Sequence, residues 1–309
     1  MLRSYLLLVF CVTAWGSNFV FGKLLVAEFS PLLLSALRLL FISLFVTAWA
    51  FGRNAVRSHG LEVVRSRPRL TVPALSRKEW LRLGALGIVG VFLNQWSFYK
   101  GLVTADPTTS ALVLALTPIT TALLAALFLK ERLTGRMAIG SLIGTAGVLF
   151  VIYNGATLHF DIGIIWIFVT MLSFAVSIIL VRQLGHRLSP LVTTLGSNLI
   201  GFGAMLPFVL VSAPLATVSH RPSSWLLLFV TAVVMHGIVT LIWNSQVQKV
   251  GAAKAAMFSN LEPFIAMVFG FVLLAKPITA VQLFGALLII AGVTLTTTSG
   301  SSPRTSHNL

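Results

Sequence analysis

Ten stretches of roughly twenty apolar residues follow one another along this chain, and that pattern leaves few ways to fold. A helix of that length crosses a hydrocarbon core about 30 Å thick. Inside lipid no water satisfies the backbone, so each stretch must close its own hydrogen bonds, as a helix does. The spans fall near 4–26, 32–52, 80–103, 106–129, 136–153, 160–181, 190–212, 225–247, 252–274 and 278–298. With 57% hydrophobic and only 9% charged residues, the chain has too little charge to cover a water-exposed surface. The expected class is an all-α integral membrane protein of ten transmembrane helices, with the lipid bilayer as its surroundings.

The opening segment MLRSYLLLVFCVTA resembles a signal peptide, with Arg3 ahead of an apolar run. Apolar character continues to Val26, however, so the segment reads as a retained first helix. The net charge of +15 does not call for nucleic acid, because most of it sits in short loops where basic residues set membrane orientation. The loop 53–79 alone carries Arg53, Arg57, Arg65, Arg67, Arg69, Arg77 and Lys78, suited to anionic lipid headgroups. Cys11 is the single cysteine, so neither a disulfide framework nor a thiolate metal cluster can form. No cofactor is expected. The polar tail from 299 to 309 reads as disordered.

Laid on itself, the chain repeats. A shift of 145 residues aligns 94–151 with 239–296 without a gap, matching Leu116 to Leu261, Pro118 to Pro263, Gly140 to Gly285 and Gly147 to Gly292. Upstream the shift is 159, pairing Ser30-Pro31 with Ser189-Pro190 and Lys23 with Arg182. The chain therefore divides into a first repeat at 1–153 and a second at 154–298, five helices each. An odd number of spans turns the second copy upside down. Loop charges agree: with the N-terminus inside, 17 of the 22 Lys and Arg residues collect on the inner side. The expected fold is thus two inverted five-helix repeats, with both chain ends cytoplasmic. Such halves can exchange conformations and open a central site to each side in turn, which is how many secondary transporters work.

Polar residues inside the spans mark where that site would lie. His236, Thr240, Trp243 and Asn244 share one face of the eighth helix, and Gln95, Phe98 and Tyr99 occupy the matching positions of the third. Trp15, Asn18 and Phe19 share a face in the first helix, and Ser173 and Ser177 in the sixth. Lipid satisfies none of these polar groups, so they face other helices or water. Each could be glue between helices, worth about 0.6 kcal/mol on average. Together, rings mixed with amides and one imidazole suit a cavity for an amphipathic small molecule. The candidate binding residues are Trp15, Asn18, Gln95, Tyr99, Ser177, His236, Thr240, Trp243, Asn244 and Glu262, with His236 and Glu262 able to carry a coupling proton.

Pro118 and Pro263 fall mid-span in the fourth and ninth helices, where each frees a carbonyl four residues earlier and kinks the helix. Matching kinks in two halves point to a midplane site, or else only shape packing. Glu262 stands directly before Pro263, where the first repeat has Thr117. A carboxylate at the bilayer centre costs roughly 2.5–3.5 kcal/mol on insertion scales, so it has a reason to be there. It can hold a proton, pair with Arg38, or meet a substrate amine. Gly140, Gly144, Gly147, Gly285 and Gly292 permit close helix contact, within the chain or across a homodimer.

With AWGSNF in the first helix, ALTPITTALLAALFLKERLT closing the fourth and SNLEPFIAMVFGFVLLAKPIT closing the ninth, the chain resembles the drug/metabolite transporter superfamily, specifically the ten-helix EamA family of bacterial exporters. The resemblance implies two inverted bundles around a central cavity, a place in the bacterial cytoplasmic membrane, and export of amino acids, drugs or other small metabolites. One departure is AKPIT, where the family commonly has an acid and this chain has Lys276. Other readings are a sugar-phosphate or nucleotide-sugar exchanger, which would want several cavity-facing cations, and a scaffold or sensor. Paired aspartates, a His-Glu-x-x-His motif and a Gly-Lys-Ser phosphate loop are all absent from the sequence, so an enzyme is not expected.

Overall fold

The computed structural model describes residues 2–58, 74–105, 110, 113–131, 134–152, 162–212, 218–274 and 278–297. The tail expected to be disordered and most of the basic loop lie outside them. The described residues form ten helices: α1 (Leu2–Val26), α2 (Pro31–Ser58), α3 (77–104), α4 (Thr117–Leu129), α5 (Gly135–Ile152), α6 (Ile162–Leu184), α7 (Pro190–Ser212), α8 (Pro222–Val250), α9 (252–274) and α10 (Ala280–Thr297). No strand occurs among them. Large apolar side chains such as Phe10, Leu44, Leu127, Leu142, Phe208 and Leu287 project outward, the surface a bilayer covers.

Helix starts follow the sequence locally. Both α2 and α7 begin at the proline of a Ser-Pro pair, where the missing N–H costs nothing. α3 opens with a reciprocal cap: the Glu79 N–H donates to Ser76 Oγ, and the Ser76 N–H donates to Glu79 Oε2 at 2.7 Å. That backbone N–H holds the Glu79 carboxyl below the usual carboxylate range, with the Ser76 hydroxyl adding to the effect.

The packing repeats under exchange of the halves. α1 lies on α9 as α6 lies on α4, α3 on α6 as α8 on α1, and α3 on α7 as α8 on α2. α2 with α7, α4 with α9 and α5 with α10 are each paired with their own counterpart, as a two-fold axis requires. The α5–α10 seam also shows the inversion. A side-chain carbon on Gly147 would come within 2.6 Å of the Gly285 carbonyl, and one on Gly140 within 2.6 Å of that of Gly292. The later residue of one helix meets the earlier residue of the other, so two equivalent helices run antiparallel. The glycines are spent on this seam inside one chain.

The end where α1, α3, α5, α7 and α9 begin is the basal end below; the other is the distal end. A core cluster at the basal end joins both repeats through Leu8, Cys11, Leu83, Ala125, Ile178, Trp243, Val247, Ala256 and Phe258. At the distal end, a separate cluster around Leu25, Phe29, Leu34, Tyr99 and Leu228 ties α1, α2, α3 and α8 among the described residues.

Candidate functional site

Two irregularities, each present in both halves, shape the middle of the bundle. Residues Leu86–Leu93 of α3 and Thr231–Ile238 of α8 are wound as π-helix, and the two segments are equivalent under the 145-residue shift. The Asn94 N–H reaches back to the Val89 carbonyl, and its counterpart Val239 reaches Val234 in the same way. Such widened turns re-aim the side chains that follow, and they recur at functional sites.

The second irregularity lies at the prolines. α4 starts at Thr117, after a turn at 115–116, with Pro118 as its second residue. In α9, Ala252–Met257 is followed by a 3-10 turn, Phe258–Asn260, and the α-helix resumes at Leu261–Leu274 with Pro263 in its first turn. This corrects the expectation of kinks in continuous helices. Each proline opens a new helical segment, where its missing N–H belongs to the orphan donors of a helix start. Discontinuous helices at membrane depth are tolerated where the freed backbone is buried or lines a cavity.

A cavity does open there, towards the distal half. It encloses about 650 Å³ free of protein atoms, a figure that includes space open to the outside. Its walls carry Trp15, Asn18 and Phe19 from α1, Asn94, Gln95 and Phe98 from α3, Leu114 and Thr117 at the start of α4, Thr170 and Phe174 from α6, His236 from α8, and Ser259 and Glu262 from α9. The Trp15 Nε1–H donates to the Met235 carbonyl at 3.0 Å, which satisfies the indole's polar edge against α8. The Gln95 amide nitrogen lies 2.6 Å from His236 Nε2 and so ties α3 to α8. Asn94 donates to the Thr170 carbonyl and to Ser173 Oγ, both at 3.0 Å, binding α3 to α6. α1 approaches α9 closely because residue 16 is glycine. A side-chain carbon there would sit 2.9 Å from the Glu262 carbonyl and 2.9 Å from Ile265.

Of the ten residues expected at a binding site, Trp15, Asn18, Gln95, His236 and Glu262 line this cavity. Tyr99 is fully buried behind it, its ring under the Arg38 guanidinium at 5.4 Å and its hydroxyl 3.5 Å from Asn18. Asn244 is turned away and donates to Thr194 Oγ1 at 2.9 Å, so it joins α8 to α7. Ser177 donates to the Phe174 carbonyl at 2.7 Å beside α3. Thr240 has a buried hydroxyl with no partner, and Trp243 is packed at 2% exposure against Trp15 and Phe174. The suggested Glu262–Arg38 pair does not form. Arg38 donates to Thr231 Oγ1 at 2.7 Å instead. No hydrogen bond or ion pair among the described residues reaches the Glu262 carboxyl, although the residue is only 9% exposed. Sequence reasoning did not single out Asn94, Thr170, Phe174 or Gly16.

Three of the expected residues that do not line the cavity, Ser177, Thr240 and Trp243, are the repeat counterparts of Asn18, Gln95 and Phe98, which all do. One half presents these positions to the cavity; in the other half Ser177 and Trp243 are buried, and Thr240 is half-buried with its hydroxyl covered. Below the cavity, Trp15, Phe174 and Trp243 form a cluster with ring centroids 4.9–5.9 Å apart. The basal end is also tied electrostatically. Glu131 accepts the Ala252 and Ala253 N–H groups at the start of α9 and pairs with Arg182 at 3.5 Å, while Arg182 donates to the Gln248 carbonyl. At the distal end its counterpart Lys23 donates to the Leu102 carbonyl at 2.7 Å.

The EamA-like transporter family profile matches residues 2–153 and again 161–298. The chain belongs to the EamA-like transporter family. It is a multi-pass, all-α membrane protein built from two EamA repeats. Among related EamA-like proteins, an uncharacterized transporter of Bacillus subtilis, YyaM, is 28% identical over 298 residues, covering 94% of this chain and 92% of its own. Another from the same organism, YetK, is 26% identical over 306 residues, covering 97% and 88%. An uncharacterized transporter of Archaeoglobus fulgidus is 24% identical over 298 residues, covering 94% and 98%. A solved crystal structure superposes with a TM-score of 0.76 at 18% identity, over 96% of this chain and 98% of the other, which shows that the fold is shared.

Proposed function

We propose that this EamA-like transporter exports small amphipathic solutes, amino acids among them, across a bacterial cytoplasmic membrane by alternating access. The basal end is the cytoplasmic one in this reading, because the basic loops collect there. The observation that carries the reading is the unlike state of matched positions. Asn18, Gln95 and Phe98 line the cavity while Ser177 and Trp243 are buried and Thr240, its hydroxyl buried, does not reach it. Inverted repeats exchange such states: when the basal end opens, the second set lines the cavity and the first set closes over it. Trp15 and Phe174, themselves counterparts, sit where the two arrangements meet. The present arrangement is then the outward-facing one.

A phosphate-ester exchanger gains no support, since no Lys or Arg is among the described residues lining the cavity. Flux of radiolabelled amino acids and amines into inverted membrane vesicles tests the proposal. Saturable, ATP-independent uptake of at least one solute, cut tenfold or more by Gln95→Ala, is the expected result. No flux across the whole panel would favour a scaffold or sensor.

A further inference from the structure

Resting on that transport reading, we infer that the solute the cavity selects is an organic amine carrying a single positive charge, with Glu262 as its counter-ion and the surrounding rings as its apolar seat. Four observations lead there. First, among the described residues Glu262 is the only acidic one on the cavity wall, and its carboxyl has no hydrogen-bond or ion-pair partner among them. A buried charge in a membrane protein is normally paired, so an unpaired carboxylate bordering open space leaves its partner to be supplied from outside. Second, no Lys or Arg stands on the wall among the described residues. Arg38, the fully buried guanidinium nearby, turns both terminal nitrogens to Thr231 and lies over the Tyr99 ring, with Nε unpartnered among the described residues. His236 is held by Gln95.

Third, the rest of the wall suits an ammonium group on an aromatic or aliphatic body. Trp15, Phe19, Phe98 and Phe174 supply ring faces, which attract cations through their quadrupoles. Asn18 Oδ1 is a buried acceptor without a donor, and the unpartnered Thr117 hydroxyl can accept an N–H as well as donate. Fourth, the wall is poor in places for a carboxylate. The start of α4 could serve one, but Pro118 removes a donor there, and the Leu116 N–H and Thr120 N–H are already bonded to Val113 and Leu116. The corresponding start in α9 already holds an acid, Glu262 itself. A zwitterion would therefore satisfy its amine and strand its carboxylate.

The test uses four probes with one benzene ring and closely similar two-carbon chains: phenethylamine, phenylalanine, 3-phenylpropanoate and 2-phenylethanol. Equilibrium dialysis of radiolabelled phenethylamine against the full chain in detergent micelles, competed by the other three, gives the ranking. Phenethylamine is expected to bind at least tenfold more tightly than each of the others. Glu262→Gln should bring it down to the level of the alcohol, while Glu262→Asp retains most of the preference. Phe98→Leu keeps an apolar side chain but removes a ring. It should weaken the amine at least threefold and the alcohol little, and it serves if Glu262→Gln does not elute as a folded species. Phenylalanine equal to phenethylamine, a preference untouched by Glu262→Gln, or no binding by any probe would each overturn the inference. Flux of some solute in vesicles without an amine preference would leave transport standing and remove this inference. Glu262-dependent amine binding with no flux of any solute would do the reverse.

Discussion

Gly16 shows how one residue sets the spacing on which the cavity depends. Alanine there would gain helix propensity worth about 1 kcal/mol. It would also place a carbon 2.9 Å from the Glu262 carbonyl and from Ile265, closer than packed atoms sit. Overpacking of this kind costs about 1–3 kcal/mol and should prevail. Gly16→Ala is expected to lower the Tm of the protein in detergent, whereas Gly203→Ala, with nothing within 4 Å of the new carbon, should raise it slightly. A Gly16→Ala protein as stable as the Gly203→Ala one would mean that α1 and α9 are not in close contact. At this scale the sequence is a partial guide. Trp15, Asn18, Gln95, His236 and Glu262 could be read as cavity residues because a polar group in an apolar span must be accounted for. Tyr99 and Asn244 send the same signal and are used for packing against Arg38 and Thr194 instead. Periodicity says that a side chain faces inward, but not whether a neighbour or a cavity meets it.

The elements that matter most are the irregular ones, and their legibility differs. Pro118 and Pro263 announce a disturbance in α4 and α9, though not that the helix restarts at each. The π segments of α3 and α8 carry no residue signature: LGIVGVFL and TAVVMHGI would pass for ordinary helix. Their equal placement in both halves shows that each belongs to the repeat's architecture. The ties at the two ends are unequal. Glu131 caps α9 and pairs with Arg182 at the basal end. The distal counterparts are both cations in the sequence, Lys23 and Lys276. A carboxylate at a helix start is worth roughly 0.3–1 kcal/mol, and a half-exposed ion pair adds little more. Glu131→Gln should therefore loosen the basal end by about 1 kcal/mol, or roughly fivefold in population. The rate at which a thiol reagent reaches Thr240→Cys from the basal side reports it, and an unchanged rate would show that the tie does not hold that end shut.

For the molecule as a whole, duplication and loop charge made the inverted fold legible before any coordinate. The antiparallel α5–α10 seam and the paired helix contacts give it three-dimensional form. The state of the molecule was not legible. Ser177, Thr240 and Trp243 carry the same pattern as Asn18, Gln95 and Phe98, and only packing reveals which set is covered. That asymmetry is also what the transport account needs, since two mirror-related halves in unlike states can interchange. Paired cysteine accessibility tests it most directly, on a background that keeps the buried Cys11. Gln95→Cys and Thr240→Cys, made separately, are labelled in intact cells and in inverted vesicles with a membrane-impermeant maleimide. The account predicts that Gln95→Cys reacts from outside while Thr240→Cys is protected, and that a transported solute shifts both together, Thr240→Cys gaining reactivity from inside as Gln95→Cys loses it outside. Equal labelling of both positions from one side, unmoved by any solute, would contradict it.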